Sequence, residues 1–132
     1  MTRSQEREQA FILIFECGFN RDIPINELYE MAVESEFLNE SDYTKRLAVA
    51  TAENLEEIDG RISEFTVGWT LDRITKVSLS ILRIAVCEML YFDDVPVGVS
   101  INEAVELAKN YATKEDSQFI NGVLGSIAKS IE

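Results

Sequence analysis

Two arginines near the amino terminus have the type and spacing to bind phosphate. Arg3 and Arg7 are four residues apart, so they lie on one face if this segment is helical. A guanidinium group can pair with two phosphate oxygens at once, which suits an anionic ligand. The alternative is a solvated helix end, because Glu6 and Glu8 are available as ion-pair partners. These residues alone leave both interpretations open.

A second group of polar and aromatic side chains lies at the start of the last predicted helix. It consists of Lys114, Asp116, Ser117, Gln118 and Phe119. The free amides of a helix N-terminus and a lysine can face a phosphate, while a phenylalanine ring can stack on an unpaired base. The alternative is structural: Asp116 and Ser117 cap the helix, and Phe119 belongs to the core.

The sequence does not indicate catalysis or metal binding. It has no histidine, and its two cysteines, Cys17 and Cys87, are seventy residues apart inside apolar helical patterns. Cysteines in such surroundings are expected to be reduced core residues of a cytosolic protein. The carboxylates and lysines form no arrangement typical of acid–base or nucleophilic catalysis. We therefore expect a protein without enzymatic activity, metal or cofactor.

The charge balance opposes unaided binding of a polyanion. The 132 residues carry a net charge of −12 at pH 7, which repels nucleic acid unless positive charge is concentrated locally. Residues 61–83, with four basic and two acidic side chains, are the one block in which basic residues prevail. The longest apolar run, residues 10–15, is too short for a membrane span or a signal sequence.

The first half of the chain predicts three or four helices. Thr2 or Ser4 caps the first helix, which continues through residues 10–15 and ends at Gly18. A second helix starts near Pro24, and Ser41 or Asn39 caps a third. The apolar pattern then continues past Gly60, which marks either a break or a tolerated interruption.

The second half predicts a central helix with two more behind it. Residues 77–91 are apolar nearly all the way round, as expected of a helix surrounded by others. Pro96 prevents this helix from continuing, and Ser100 with Glu103 forms a capping box that starts the next one. Asp116 and Ser117 supply N-cap oxygens for the last helix.

These elements predict an all-α protein in which residues 1–132 form a single domain. Since no apolar and polar residues alternate over the length of a strand, no sheet is expected. We expect about six to seven helices in two small sub-bundles, before and after Gly68, that share one core. Trp69 is expected to fill the seam between them.

Five ordered segments together resemble the NusB family of bacterial transcription antitermination factors. They are residues 69–74, residues 81–85 with Glu88, residues 94–96, residues 101–109 and residues 119–124. The resemblance covers the second half densely and the first helix more loosely. It implies a NusB-like helical bundle that pairs with the ribosomal protein NusE, binds the boxA element of nascent ribosomal RNA and keeps RNA polymerase processive in the cytoplasm, supporting ribosomal RNA synthesis and maturation.

The resemblance also implies roles for individual residues. Arg3 and Arg7 correspond to the arginine-rich first helix that binds boxA, and residues 114–119 correspond to another part of the RNA surface. Phe15, Phe19 and Glu88 match positions near the surface that receives NusE. A structural role for Glu88 is the alternative, either in a salt bridge to Arg73 or Arg83 or on an exposed edge of its helix.

Two other functions stay open at this stage. One is the NusB-like domain that accompanies ribosomal RNA cytosine methyltransferases. The other is a helical protein-interaction module or homodimer without intrinsic RNA binding, which the acidic charge favours.

Overall fold

Seven α-helices account for most of the chain in a computed structural model that describes residues 1–66 and 68–131. The helices are α1 (Arg3–Cys17), α2 (Ile25–Glu34), α3 (Asp42–Glu53), α4 (Leu55–Glu64), α5 (Lys76–Tyr91), α6 (Val97–Tyr111) and α7 (Lys114–Ile131), with a short 3-10 turn at Leu71–Arg73. The described ranges contain no strand, so the predicted all-α class is confirmed. None of these helices is both long and apolar enough to cross a membrane.

Helix α5 lies at the centre of the bundle, as its sequence predicts. It packs against α1, α3, α4, α6 and α7, and its residues are buried from Ser78 to Met89 with the exception of Arg83. Helices α1, α2 and α3 pack together, while α6 and α7 pair with each other. Because α4 also touches α7, the two halves of the chain meet in one continuous core.

A buried carboxylate connects four of the helices. Glu88 on α5 is 2% exposed, and its Oε2 accepts hydrogen bonds from Nε of Arg7 at 2.8 Å and from the hydroxyl of Tyr43. Its Oε1 accepts a hydrogen bond from Oγ of Ser100 at 3.0 Å. The donors lie on α1, α3 and α6. We call Arg7, Tyr43, Glu88 and Ser100 the Glu88 cluster.

The partner of Glu88 differs from the two arginines that the sequence suggested. Arg83 instead forms a two-pronged ion pair with Asp59 of α4, with both N–O distances at 2.9 Å. Arg73 is exposed in the 3-10 turn. Burial alone would lower the pKa of Arg7, but the hydrogen bond and the charge of Glu88 outweigh burial and raise it above its usual value. Arg7 therefore stays charged inside the bundle.

Helix α6 starts one turn before the predicted capping box. It begins at Val97, directly after Pro96, whose fixed backbone angle suits a helix start. Ser100 is consequently inside the helix, and its hydroxyl bonds Glu88 of α5 instead of capping α6. Glu103 does not reach back to Ser100 but accepts a hydrogen bond from Oγ of Ser4 at 2.8 Å. The capping-box prediction is therefore wrong.

Helix α7 also starts earlier than predicted. Thr113 Oγ1 accepts a hydrogen bond from the amide of Asp116 at 3.1 Å, and Asp116 Oδ2 accepts one from the amide of Thr113 at 3.2 Å. These reciprocal bonds make a capping box in which Asp116 holds the third helical position rather than the cap. The hydroxyl of the buried Ser117 donates to the carbonyl oxygen of Lys114.

Other predicted helix boundaries are confirmed or resolved. Thr2 makes the reciprocal capping bonds at the start of α1, and the Ser41 side chain caps α3. Gly18 is the C-terminal cap of α1, in a right-handed conformation. The apolar pattern that starts in α3 is broken at Asn54, between α3 and α4. Gly60 is therefore a tolerated interruption inside α4.

Removing the cation from the Glu88 cluster should destabilise the fold. We expect Arg7→Met to lower the free energy of unfolding by about 3–5 kcal/mol, because it leaves a buried carboxylate without its charged partner. Urea denaturation followed by circular dichroism measures the change. Arg3→Met is the matched control: the Arg3 side chain is 55% exposed, so the expected loss is below about 1 kcal/mol.

The double variant Arg7→Met with Glu88→Gln separates charge from packing. Glutamine keeps the size of the side chain and removes its negative charge, so the double variant should recover part of the stability lost in Arg7→Met. Equal losses in the two single arginine variants would contradict the structural role of the buried pair.

Alkaline pH should destabilise the protein through buried groups that resist deprotonation. Burial raises the pKa of the Cys87 thiol from 9.0 to about 11, and burial together with the bond to Glu88 also raises the pKa of Tyr43. Above pH 9 the unfolded thiol loses its proton while the folded one keeps it. The contribution of the protonated Cys87 thiol to the stability of the fold is therefore complete below about pH 9 and is lost as pH rises towards 11. Denaturation midpoints measured from pH 7 upward test this.

Thiol labelling tests independently whether Cys87 is shielded from solvent in the native protein. Cys87 is fully buried and Cys17 is half-buried, so a thiol reagent should label one cysteine of the native protein rapidly. Cys17→Ser should remove that reaction until urea is added. Rapid labelling of native Cys17→Ser protein would show that Cys87 is not shielded.

Candidate nucleic-acid interface

The burial of Arg7 and Glu88 prevents either side chain from contacting a ligand at the surface. Arg7 is 5% exposed and Glu88 is 2% exposed, and they form an ion pair with each other at 2.8 Å. Arg7 lies on the inward face of α1 together with Ala10 and Phe11, whereas Arg3 is at the exposed end. Direct contact of Arg7 with RNA, and of Glu88 with a protein partner, does not fit these positions.

Arg3 is the cation of the first turn of α1 that remains accessible. Its guanidinium group lies over the ring of Tyr43, 3.9 Å from the centroid, and 3.5 Å from Glu6. Both contacts leave the side chain 55% exposed. A phosphate could therefore reach Arg3 while its stem stays held against the aromatic ring.

Four of the five candidate residues at the start of α7 are at least partly accessible. Lys114 and Gln118 are exposed, Asp116 and Phe119 are half-buried, and Ser117 is buried. Asp116 and Ser117 are occupied by bonds within the first turn, which fix the position of the helix start. In residues 1–66 and 68–131 Lys114 makes no ion pair, so its charge is available to an anion.

An aromatic cavity lies beside Phe119. The Phe119 ring is 6.4 Å from that of Trp69, measured between centroids, and both line a cavity of about 250 Å³ with Arg73 and Ser78. Trp69 is 54% exposed, so the prediction that it fills a seam in the core is wrong. The residue lies outside the helices, shortly before the 3-10 turn. Its ring is available for stacking.

Phe15 and Phe19 pack on each other beside a lysine rather than beside Glu88. Their rings meet edge to face with centroids 5.1 Å apart, and Phe19 is 56% exposed. Nζ of Lys76 lies 4.8 Å from the centroid of Phe19. Glu88, which the resemblance groups with these phenylalanines, is buried among other partners. The structure does not bring these three residues together on one surface.

Sequence reasoning missed the exposed cations around the start of α5. Arg73 and Lys76 both belong to residues 61–83, the block in which basic residues prevail, and that imbalance was the available signal. Sequence spacing could not place Arg73 and Lys76 beside Phe19 and Trp69. Phe19 lies far away in the chain, and Trp69 was expected to fill a seam in the core.

The chain matches known proteins along nearly its whole length. The sequence model of the NusB family matches residues 4–129. Transcription antitermination protein NusB of Natranaerobius thermophilus is 41% identical over 135 residues, which cover 99% of this chain and 97% of that protein. The protein of the same name from Bacillus subtilis is 39% identical over 132 residues, which cover 100% of this chain and 98% of that protein.

Solved structures agree with the sequence matches. NusB in the crystal structure of antitermination factors NusB and NusE in complex with dsRNA has a TM-score of 0.85 and 29% identity, covering 97% of this chain and 96% of that one. NusB of T. maritima has a TM-score of 0.84 and 34% identity, covering 98% of this chain and 92% of that one. Because sequence and fold agree over almost all of its length, the chain belongs to the NusB family.

Proposed function

We propose that this chain is a transcription antitermination factor that binds the boxA element of nascent ribosomal RNA together with the ribosomal protein NusE. The complex would keep RNA polymerase processive and support ribosomal RNA synthesis and maturation in the cytoplasm. The observation that carries the proposal is the fold that the chain shares, over nearly its full length, with NusB in a complex with NusE and RNA. The role is one of binding, without an enzymatic step.

The net charge explains why such a protein would act with a partner. A chain with a charge of −12 repels RNA at long range, so its own cations have to act locally. A basic partner that docks on the acidic protein would extend the positive surface and lower this repulsion. RNA affinity would then belong to the composite surface rather than to either protein alone.

The accessible candidates on this chain have complementary chemistry. Arg3 and Lys114 supply charge for phosphates, while Gln118 and Phe119 supply a hydrogen-bonding amide and a stacking ring. Asp116 and Ser117 hold the start of α7 in place. Arg7 contributes indirectly, because its pair with Glu88 fixes the position of α1 on the bundle.

Binding of a labelled boxA-type RNA tests the proposal. We expect fluorescence anisotropy to show weak binding by the chain alone, tighter binding after NusE is added, and a loss of affinity when the salt concentration is raised. No RNA binding with NusE present, although NusE itself associates with the chain, would overturn the RNA role and leave a protein-interaction module.

Two double charge variants test whether Arg3 and Lys114 contact the RNA. Arg3→Gln with Lys114→Gln removes two accessible cations, so the slope of log affinity against log salt should fall by about 0.7 for each lost phosphate contact. Arg61→Gln with Lys129→Gln is the matched control, because it changes the net charge equally on α4 and at the far end of α7. Equal effects of the two double variants would contradict a specific role for Arg3 and Lys114.

A further inference from the structure

An apolar groove lies between α1 and α2, and we call it the α2 groove. It has a volume of about 400 Å³, and seven of the nine described residues that line it are apolar. Helix α2 contributes a stripe of this lining at helical spacing, which consists of Leu28, Met31, Ala32 and Ser35. The α2 groove shares no described lining residue with the cavities beside Phe119 and Phe15.

Two large apolar side chains of the α2 groove are exposed to solvent. Phe37 is 67% exposed and Met31 is 50% exposed. Large apolar side chains that lie together at a concave surface are typical of binding sites, whereas scattered ones are ordinary. The flexible side chain of methionine can also adapt to the shape of a partner. Residues 1–66 and 68–131 thus leave apolar surface uncovered in this groove.

The turn after α2 holds Phe37 at the rim of the groove. The amide of Phe37 donates to the carbonyl oxygen of Ala32 at 2.9 Å. Glu36, which precedes Phe37, has a φ of 62°. This left-handed conformation favours glycine and is strained for a residue with a side chain. The chain therefore has a carboxylate at a position where glycine would end the helix with less strain.

Carboxylates surround the α2 groove. Residues 22–44 include seven acidic side chains and no basic one, and all seven are exposed. Glu27 and Glu34 lie four residues before and three residues after Met31, on the same side of α2. Glu16 lines the groove from α1. In the part of the chain that the structure describes, these three glutamates make no ion pair.

The stability of α2 does not account for this negative charge. Glu34 is the last residue of the helix, where the partial negative charge of the helix end repels a carboxylate. The last turn of α2 has no basic residue to offset that repulsion. Local rules of this kind are broken most often at functional sites. An external cation would neutralise Glu34 together with its neighbours.

We propose that the α2 groove binds a basic amphipathic helix of a partner protein other than NusE. The apolar face of that helix packs on Met31 and Phe37, and its lysines or arginines face Glu16, Glu27 and Glu34. An amphipathic helix whose apolar face enters a groove is a common form of peptide recognition. The described ranges contain no strand to which an extended segment could be added, so a helix suits this surface better.

Charge argues against the other occupants of such a groove. RNA and anionic lipid would be repelled by the seven carboxylates of residues 22–44. A second copy of this chain would bring the same negative charge to the groove and a net charge of −12 to the pair. The inference does not rest on the proposed function, because it concerns a different surface of the bundle.

A synthetic basic helix tests the groove. The probe is a fluorescein-labelled peptide of about 18 residues, or five helical turns, with leucines on one face and lysines elsewhere. The control peptide has the same composition in an order that gives no apolar face. We expect fluorescence anisotropy to show saturable binding of the amphipathic peptide and much weaker binding of its control. No saturable binding of the amphipathic peptide, or equal binding of both, would overturn the inference.

Apolar variants test where the peptide binds. Met31→Gln with Phe37→Ser should weaken binding about tenfold, because it removes both apolar anchors. Val99→Ser with Ile131→Gln is the matched control, since it replaces exposed apolar side chains of α6 and α7 and should leave the affinity unchanged. Circular dichroism checks that each variant is folded. Equal losses in the two double variants would show binding without a defined site.

Charge variants test the rim of the groove. Glu27→Gln with Glu34→Gln should weaken peptide binding about fivefold at low salt and less at high salt. Glu56→Gln with Glu64→Gln makes the same change in net charge at matching positions of α4, its first turn and its last residue. If the control pair has the same effect, the attraction comes from the overall charge and the proposed rim contacts are absent.

The Met31 methyl group reports on the groove directly. The chain has three methionines, of which Met1 is the terminus and Met89 is buried. In a carbon-13 methyl spectrum, the resonance that Met31→Gln removes belongs to Met31. We expect the peptide to shift this resonance and to leave that of Met89 in place. A peptide that binds without shifting the Met31 resonance occupies another site, and the inference fails.

Two further measurements distinguish the proposed partner from NusE and from a second copy. Association with NusE, measured without RNA, should be the same for the unmodified chain and for Met31→Gln with Phe37→Ser. A weaker association of that variant would assign the groove to NusE and overturn the inference. Self-association of the chain in analytical ultracentrifugation that the same variant abolishes would assign the groove to a second copy, which also overturns it. In either case the proposed RNA function stands.

Discussion

The architecture depends on one buried negative charge. The carboxylate of Glu88 lies inside the central helix, where an unpaired charge would cost several kcal/mol, on the order of a protein's whole stability. Hydrogen bonds from Arg7, Tyr43 and Ser100 satisfy it, and each comes from a different helix. Apolar packing could tolerate small shifts of these helices, but the bonds to Glu88 could not. The cluster therefore sets the positions of α1, α3 and α6 against α5.

The same cluster determines which cations remain for a ligand. Because Arg7 is held inside the bundle, the first helix presents Arg3 at its start and the ring of Phe19 just beyond its end. Further accessible positive charge lies at the starts of α5 and α7, next to Trp69 and Phe119. An acidic protein can thus present a local surface suited to RNA without a basic overall composition.

Local signals in the sequence were enough for the helical class, the central helix and the caps at Thr2 and Ser41, because these depend on residues within one or two turns. The predictions failed where a side chain has a distant partner. Ser100 has the pattern of a cap but bonds Glu88, and Arg7 has the spacing of a surface arginine but lies 81 positions from its carboxylate. Of the predicted site residues, Arg3, Lys114 and Gln118 are exposed, whereas the position of Arg73 and Lys76 beside aromatic rings required the fold.

The wide spacing of the Glu88 cluster along the chain has a consequence for folding during synthesis. Translation proceeds from the amino terminus, so α1 to α4 leave the ribosome before Glu88 of α5 has been added. Until then Arg7 has no buried partner, and the apolar faces of the early helices lack the central helix against which they pack. We therefore expect the nascent first half to be a set of loosely associated helices, and the native core to close only after α5 and the first turn of α6 emerge.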